Sequence, residues 1–109
     1  MIQIFKNINY IPEKFTGIAE IENDKSIRYY KYGFYHNESG PAIILRNGAK
    51  YWYVNNKLHN ESGPSYEDSS VKSWWYNNLR YGYDDEFTIE SWKEFVENKK
   101  REEELQLFK

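Results

Sequence analysis

The sequence predicts a mainly β fold: an antiparallel meander of about seven short strands, built from 23-residue hairpin repeats and capped by one C-terminal α-helix. Three observations predict it. Glycines recur at 17, 40 and 63, and tyrosines recur with the same spacing at 30, 53 and 76. The run His-Asn-Glu-Ser-Gly-Pro occurs unchanged at 36–41 and at 59–64. Beyond the last repeat, the apolar residues change to helical spacing.

Each repeat is predicted to form one hairpin. In the middle unit, residues 42–45 give a first strand, Asn-Gly at 47–48 gives the hairpin turn, and 50–54 give a second strand rich in β-favouring residues. Asn-Asn at 55–56 turns the chain again, and the Asn-Glu-Ser-Gly-Pro segment forms a wider loop, the connector, to the next unit. In the third unit, Asp-Ser-Ser at 68–70 replaces the Asn-Gly turn.

The N-terminus is predicted to be half a unit. Residues 1–10 align with 24–33, so 2–5 would be a second-arm strand whose hairpin partner is missing, and 10–17 would take the place of a connector. Such a strand lies at a sheet edge with unpaired backbone groups, which would allow a homodimer through edge pairing.

Period-two alternation divides the second-arm strands into two faces. One face is predicted to carry Arg28, Tyr30, Tyr51, Tyr53, Trp74 and Tyr76. The other is predicted to carry Tyr29, Lys31, Trp52, Val54, Trp75 and Asn77. Both faces hold aromatic residues, so either could form the core, with the other as a solvent-facing cross-strand ladder.

The C-terminal segment is predicted to be a helix with Thr88 as its N-cap. Ile89, Trp92, Phe95 and Val96 fall on one helical face, which is expected to cover the end of the sheet. The chain is therefore predicted to be a single domain over 1–109, with the hairpin array at 1–83 and the helix and tail at 84–109.

Composition excludes several functional classes. The 109 residues contain no cysteine, so disulfides and thiolate metal sites are excluded. The formal net charge of −2 does not favour a domain dominated by phosphate binding. No apolar run is long enough for a membrane span and no segment resembles a signal peptide, so a cytoplasmic location is expected.

The repeat resembles the MORN type, in the variant with a His-x-x-x-Gly-Pro-Ala connector that occurs in bacterial, phage and giant-virus proteins, some of them antitoxins. The first connector matches that variant at His36, Gly40, Pro41 and Ala42. Asn replaces the usual Arg at 37 and 60, and Ser replaces the usual Asp at 39 and 62. The resemblance covers roughly residues 15–83 and implies a scaffold that binds proteins and sometimes lipids, more than it implies chemistry.

The connectors are interpreted as structural. His36 and His59 lie one unit apart, roughly 10 Å at two strand spacings, which is too far for both to bind one metal ion at about 2 Å. Each imidazole is expected to hydrogen-bond its own turn, and Glu38 and Glu61 are expected to be solvated turn residues. The predicted structural connector residues are His36, Gly40, Pro41, His59, Gly63 and Pro64. We assign no catalytic, cofactor-binding or metal-binding residue, and we do not predict an enzyme.

The candidate protein-binding residues lie on the aromatic strands and beside them. They are Tyr30, Tyr51, Tyr53, Trp74, Tyr76, Lys31, Lys50 and Arg80. Since Tyr, Trp and Arg dominate interface hot spots, the sequence favours a non-enzymatic module that binds a host or cognate protein. The resemblance adds a phage or mobile-element origin, with an inhibitor of a host defence system (an anti-CRISPR, for example) or an antitoxin as specific forms. The alternative is binding of single-stranded nucleic acid or a lipid surface through the Tyr/Trp/Lys face.

Overall fold

Hairpins dominate the computed structural model, which describes residues 2–107. The strands are β1 (Ile2–Phe5), β2 (Gly17–Ile21), β3 (Ser26–Lys31), β4 (Phe34–Tyr35), β5 (Ile43–Ile44), β6 (Lys50–Tyr51), β7 (Tyr53–Val54), β8 (Lys57–Leu58), β9 (Tyr66–Glu67), β10 (Lys72–Tyr76) and β11 (Leu79–Tyr83). Two 3-10 turns occupy Ile8–Tyr10 and Asp84–Glu86, and one α-helix, α1, spans Ile89–Gln106. The predicted class, a mainly β and mostly antiparallel fold with one C-terminal helix, is confirmed.

The strands outnumber the predicted seven because the hairpin arms change partners midway. In the middle unit, β6 pairs with β5 and β9 in the main sheet, whereas β7 pairs only with β8. Trp52 lies at the break between β6 and β7, where its backbone N–H donates to the Ser65 carbonyl oxygen 2.7 Å away. The first half of a second arm therefore pairs within the main sheet, and its second half pairs with the following short strand to form a two-stranded tip.

The N-terminal strand is not half a hairpin unit. β1 pairs with β2 in parallel, with Ile2 opposite Ile18 and Phe5 opposite Ile21, whereas a second arm of this array pairs with its neighbours in antiparallel fashion. The physical reason is the connection: residues 6–16 contain a 3-10 turn and are long enough to carry the chain back across the sheet end. β1 does lie at the sheet edge, as predicted.

Two of the tight turns at the hairpin tips are Asn-Asn pairs, and the tip of the first unit is Tyr32-Gly33, with φ values of 51° and 83°. Asn55 and Asn56 have φ values of 50° and 66°, and Asn77 and Asn78 have 47° and 70°. Two successive residues with positive φ form the two-residue turn that matches strand twist, and Asn tolerates this region better than most residues. The Asn-Gly sequence at 47–48 instead belongs to a longer loop, since Leu45 N–H donates to the Ala49 carbonyl oxygen.

The third unit is one residue shorter than the second. Ile44 pairs with Lys50 and leaves residues 45–49 between them, but Glu67 pairs with Lys72 and leaves only 68–71. Beyond this turn, equivalent positions are therefore 22 residues apart, as the Asn-Asn tips at 55–56 and 77–78 confirm. The predicted equivalence of Tyr53 with Tyr76 is wrong for this unit.

Because strand side chains alternate, this one-residue difference places two aromatic side chains on the face opposite to the one predicted from a 23-residue spacing. Tyr51 corresponds to Ser73, and both lie opposite Tyr66 in the ladder. Trp74 and Tyr76 thus take the positions of Trp52 and Val54, so their predicted placement on the face of Tyr51 and Tyr53 is wrong. Trp75, predicted on the opposite face, takes the place of Tyr53.

Helix α1 packs on the face to which Trp74 and Tyr76 have moved. Thr88 caps it as predicted, with its hydroxyl oxygen accepting from Ser91 N–H. Trp92 and Val96 are buried against the two strand residues and form the hydrophobic cluster of the domain. The protein measures only 19 Å along its shortest axis, the depth of one sheet with one helix layer. The last turn of α1 lies beyond this cluster, and Leu105 is exposed.

Candidate binding surfaces

One face of the sheet carries a continuous row of aromatic rings, here called the tyrosine row. Its members, in spatial order, are Phe5, Phe15, Tyr30, Tyr35, Tyr53, Tyr51 and Tyr66. Successive ring centroids lie 4.8–6.3 Å apart, within the range of favourable aromatic pairs. All seven residues are half-buried. The predicted residues Tyr30, Tyr51 and Tyr53 are thus brought together, with Tyr35 and Tyr66 added by the fold.

Arg28 lies in the middle of this row and is held there by three groups. Its Nη1 donates to the Tyr35 hydroxyl at 2.9 Å, its Nε donates to Ser26 Oγ at 3.0 Å, and its Nη2 lies 3.3 Å from Asp24 Oδ2. Burial raises the pKa of Tyr30, so this hydroxyl stays neutral and retains its proton for donation. The face therefore presents phenolic hydroxyls around one fixed guanidinium.

A second aromatic–cationic cluster lies at the far end of the same face. The pairing of β10 with β11 shifts between Trp74 and Trp75, which places Arg80 opposite Trp75 and Tyr83 opposite Ser73. The Arg80 guanidinium lies 4.2 Å from the Tyr83 ring centroid and 6.0 Å from that of Trp75. Arg80 is exposed, as a binding residue must be, but its partners Trp75 and Tyr83 were not among the predicted site residues.

The predicted lysines lie on the other face. Lys31 follows Tyr30 and Lys50 precedes Tyr51 on continuous strands, so their side chains point away from the tyrosine row. Both are exposed. The single Tyr/Trp/Lys surface that the sequence suggested is therefore divided between two faces.

Two predicted binding residues are inaccessible. Trp74 is 2% exposed and Tyr76 is 5% exposed, because helix α1 covers both. The indole N–H of Trp74 donates to the Asp84 carbonyl oxygen at 2.9 Å, and the Tyr76 hydroxyl donates to Glu103 Oε1 at 2.7 Å. Their inclusion among the binding candidates is corrected: they are core residues.

The two connectors have the same internal geometry. In each, the Asn side chain donates to the carbonyl oxygen of the Pro four residues later and accepts from the N–H of the Ser two residues later. These bonds run from Asn37 to Pro41 and Ser39, and from Asn60 to Pro64 and Ser62, at 2.9–3.1 Å. Asn37 and Asn60, which were noted in the sequence as replacements of an Arg, are therefore the residues that close the two loops.

Each histidine binds the neighbouring hairpin, which the sequence did not predict, and His59 also hydrogen-bonds Glu61 within its own connector, as expected. His36 Nδ1 accepts from Asn55 N–H at 2.9 Å, and His59 Nδ1 accepts from Asn77 N–H at 3.0 Å. An accepting Nδ1 places the imidazole proton on Nε2, which faces Glu38 or Glu61 at 3.4 and 3.0 Å. Each connector thus supports the Asn-Asn tip of the next hairpin.

The two connector glutamates differ in their surroundings. The Glu61 side chain is 43% exposed and its Oε1 lies 2.5 Å from Lys100 Nζ on α1, whereas the Glu38 side chain is 75% exposed and contacts only His36 among ionic partners in residues 2–107. Burial alone would raise the pKa of Glu61, but hydrogen bonds from Lys100 and His59 outweigh it and lower that pKa.

Within residues 2–107, no group of three or more His, Asp or Glu side chains could hold a metal ion.

An open groove of about 320 Å³ lies between the two connectors, here called the middle groove. It is lined by Asn37, Glu38, Trp52, Val54, His59, Asn60, Glu61 and Ser62. Trp52 and Val54 form its floor, and the connectors form its walls. Trp52 could not be selected from sequence patterns, because the groove forms only where two successive connectors lie side by side.

Comparison of the chain with protein-family models, with curated proteins and with solved structures found no significant match. Within residues 2–107, no helix is long and apolar enough to cross a membrane. The fold and the two candidate surfaces, the tyrosine row and the middle groove, are therefore the basis for assigning a function.

Proposed function

We propose that the protein is a non-enzymatic protein-binding module that recognises its partner through the tyrosine row. The observation that carries the proposal is the arrangement of seven half-buried aromatic rings around the fixed Arg28 guanidinium on one sheet face. Aromatic residues and Arg are the residue types that contribute most binding energy at protein interfaces.

Rigidity makes this surface suitable for binding. The five inner rings of the row each pack between two neighbouring rings, and strand pairing fixes most of the backbone beneath, so little side-chain entropy is lost when a partner binds. Tyr66 illustrates the point, because its hydroxyl donates to Asp68 Oδ2 at 2.5 Å. Tyrosine also offers both an apolar ring and a polar tip, which suits a mixed protein surface.

Nucleic-acid binding through stacked bases is less well supported. Such sites combine aromatic platforms with cations that follow the phosphate backbone. Lys31 and Lys50 face away from the tyrosine row, and the net charge is −2. Arg28, which does lie in the row, already interacts with Asp24.

Several finer features belong to the same proposal. The repeats are of MORN-like type, and the protein originates from a phage or mobile element and acts in the cytoplasm. Its partner is either a host defence protein, which it inhibits, as an anti-CRISPR does, or a cognate toxin, which it neutralises as an antitoxin. The resemblance of the connectors supports these features. A homodimer through β1 is also proposed, supported by the exposure of Ile2 and Ile4 on that edge strand.

Site-specific photocrosslinking tests the proposed surface. A photoreactive phenylalanine derivative would replace Tyr51 in the row, and in a matched variant it would replace Glu20, which is exposed on the opposite face of β2. In a lysate of the source cells, we expect a protein to be crosslinked from position 51 and not from position 20. Crosslinks to nucleic acid from position 51, or no crosslink from it, would contradict the proposal.

A further inference from the structure

The internal repeat shows how a groove of this protein is filled. The groove of the third unit, here called the last groove, has Trp74 and Tyr76 as its floor, the connector with Asn60 and Glu61 as one wall, and Tyr81 on the other side. Helix α1 occupies it. These positions correspond to those of the middle groove at offsets of 22 or 23 residues, including Trp74 to Trp52, Asn60 to Asn37 and Glu61 to Glu38.

Three contacts anchor α1 in the last groove. The Trp92 ring lies over Trp74 with centroids 5.6 Å apart, and its indole N–H donates to the Asn60 carbonyl oxygen at 2.7 Å. Two turns further along α1, Lys100 Nζ lies 2.5 Å from Glu61. The groove thus selects an aromatic residue over its floor and a cation eight positions later against its wall.

The middle groove carries the same three features without an occupant from residues 2–107. Trp52 is half-buried, yet it is the one tryptophan whose indole N–H has no acceptor in that part of the chain; the others donate to Asp84, Ser73 and Asn60. The Asn37 carbonyl oxygen, which corresponds to the acceptor of Trp92, receives no hydrogen bond there. Among residues 2–107, Glu38 has no lysine partner, unlike Glu61.

From this correspondence we propose that the middle groove binds an amphipathic α-helix of a partner protein. This helix places an aromatic residue, preferably Trp, over Trp52 and a Lys or Arg two turns further on against Glu38. The surface is on the face opposite the tyrosine row, so it is a second interaction site and does not depend on the first.

The spacing of the grooves fits two helices side by side. Successive units are two strands apart, which is about 9.6 Å at a strand spacing of about 4.8 Å. Packed helices have interaxial distances of about 8–10 Å. The second helix would therefore pack beside α1, where Ile89 lies against Gly63 of the shared connector and is 47% exposed.

The chain supplies its own probe for this site. A peptide of residues 86–107, made helical by a lactam staple on its outer face, would be titrated into the full-length protein and followed by fluorescence anisotropy and by the indole N–H signals of the protein. We expect saturable binding that shifts the Trp52 signal and leaves those of Trp74 and Trp92 unchanged. The peptide with Trp92→Ala should bind at least about tenfold more weakly, about 1.4 kcal/mol.

Charge reversal identifies the wall of the groove. Glu38→Lys in the protein should weaken the peptide about tenfold, and Lys100→Glu in the peptide should restore binding to that variant. Glu22→Lys is the matched control, because it makes the same charge change at an exposed turn far from the groove and should leave affinity unchanged.

Four outcomes would overturn the proposal. They are absence of peptide binding, equal weakening by Glu22→Lys, a shift of the Trp74 signal that shows displacement of α1, and a concentration-dependent dimer of the protein that Glu38→Lys abolishes. The last would assign the groove to a second copy. None of them bears on crosslinking from position 51, so failure here is distinguishable from failure of the tyrosine-row function.

Discussion

The indole N–H of Trp92 donates to the backbone carbonyl oxygen of Asn60 at 2.7 Å, and this bond joins the C-terminal helix to the connector that precedes the last hairpin. Asn60 also closes its own loop by donating to the Pro64 carbonyl oxygen. The helix is therefore attached to a rigid loop as well as to the sheet. The stability of the last unit should depend on this contact.

Truncation of Trp92 should be severely destabilising. Trp92→Ala removes a fully buried ring, and such changes cost about 3–5 kcal/mol, a large share of the roughly 5–15 kcal/mol that folds a domain. Trp92→Phe keeps a ring but leaves the Asn60 carbonyl without its donor, so we expect a smaller loss of about 1–3 kcal/mol. Guanidinium unfolding gives both values, and a loss below about 1 kcal/mol for Trp92→Ala would contradict the described packing.

Each connector histidine should protect one amide on the next hairpin. His36→Ala leaves the Asn55 N–H without an acceptor, and His59→Ala does the same to Asn77, at a cost of about 0.5–1.5 kcal/mol for each hydrogen bond. The His59 change should cost more, since its ring also packs on Tyr76 with centroids 4.8 Å apart.

Hydrogen exchange followed by NMR separates these two effects. Each variant should accelerate exchange at its own partner amide and leave the other tip protected, while Glu38→Ala, at an exposed carboxylate, should change neither. Faster exchange at both tips in either variant would show that the connectors do not act locally.

Insertion of one glycine between Ser69 and Ser70 should be tolerated. Restoring the 23-residue spacing could either lengthen the turn or slip β10 by one position. A slip would remove Trp74 and Tyr76 from beneath α1, at about 1.5–3 kcal/mol each, whereas loop extension costs well under about 1 kcal/mol. We therefore expect a small loss of stability and an unchanged tryptophan fluorescence spectrum; a red-shifted spectrum would mean that the turn length sets the register.

This competition explains what the sequence could and could not predict. The repeat, the hairpins, the N-cap at Thr88 and the helical face of Trp92, Phe95 and Val96 follow from local patterns and are present, whereas Ile89, predicted on the same face, is 47% exposed. The sheet face on which Trp74 lies could not be predicted in this way. An alignment of the third unit by its aromatic residues hides the fact that its turn is one residue shorter. Hydrophobic residues occur on both faces there, so alternation alone could not reveal the slip.

The candidate surfaces were only partly predictable for a related reason. Tyr30, Tyr51 and Tyr53 were selected from strand periodicity, which places residues of one strand on one face. Tyr35 and Phe15 join the row from a short hairpin tip and a loop, where no periodicity exists. The parallel pairing of β1 likewise depends on the path of residues 6–16, which carry no turn signal for it.

Acid should weaken the contact between α1 and the second connector. The pKa of Glu61 is lowered in the folded protein, so its contribution to stability is complete above the ordinary value for glutamate and is lost as pH falls through the lowered pKa. Measured by denaturant unfolding, the stability difference between the native chain and Glu61→Gln should be largest near neutral pH and should vanish in acid. A difference that is constant with pH would show that ionisation of Glu61 is irrelevant.

Tyr66 should titrate late in base. Its hydrogen bond to Asp68, together with partial burial, raises its pKa to about 12. The bond therefore contributes to stability below the ordinary tyrosine pKa of about 10 and is lost as pH rises through 12. Tyrosinate absorbance should show a late step shared with other half-buried tyrosines such as Tyr30; Tyr66→Phe should reduce its amplitude by one tyrosine, and Asp68→Asn should move that part towards pH 10. An unchanged amplitude in Tyr66→Phe would assign the whole late step to the other tyrosines.

The connectors also determine how such a protein can grow. Within residues 2–107, each connector binds the hairpin that follows it through one imidazole and closes its own loop through one asparagine, and the second connector also binds α1. The contacts to the hairpins recur from unit to unit, so the same contacts could join a further unit. Copying residues 40–62 once more would extend the sheet by about 9.6 Å, add a further pair of tyrosines to the row and create another groove. The number of helices that this protein can hold would then be set by gene duplication, one unit at a time.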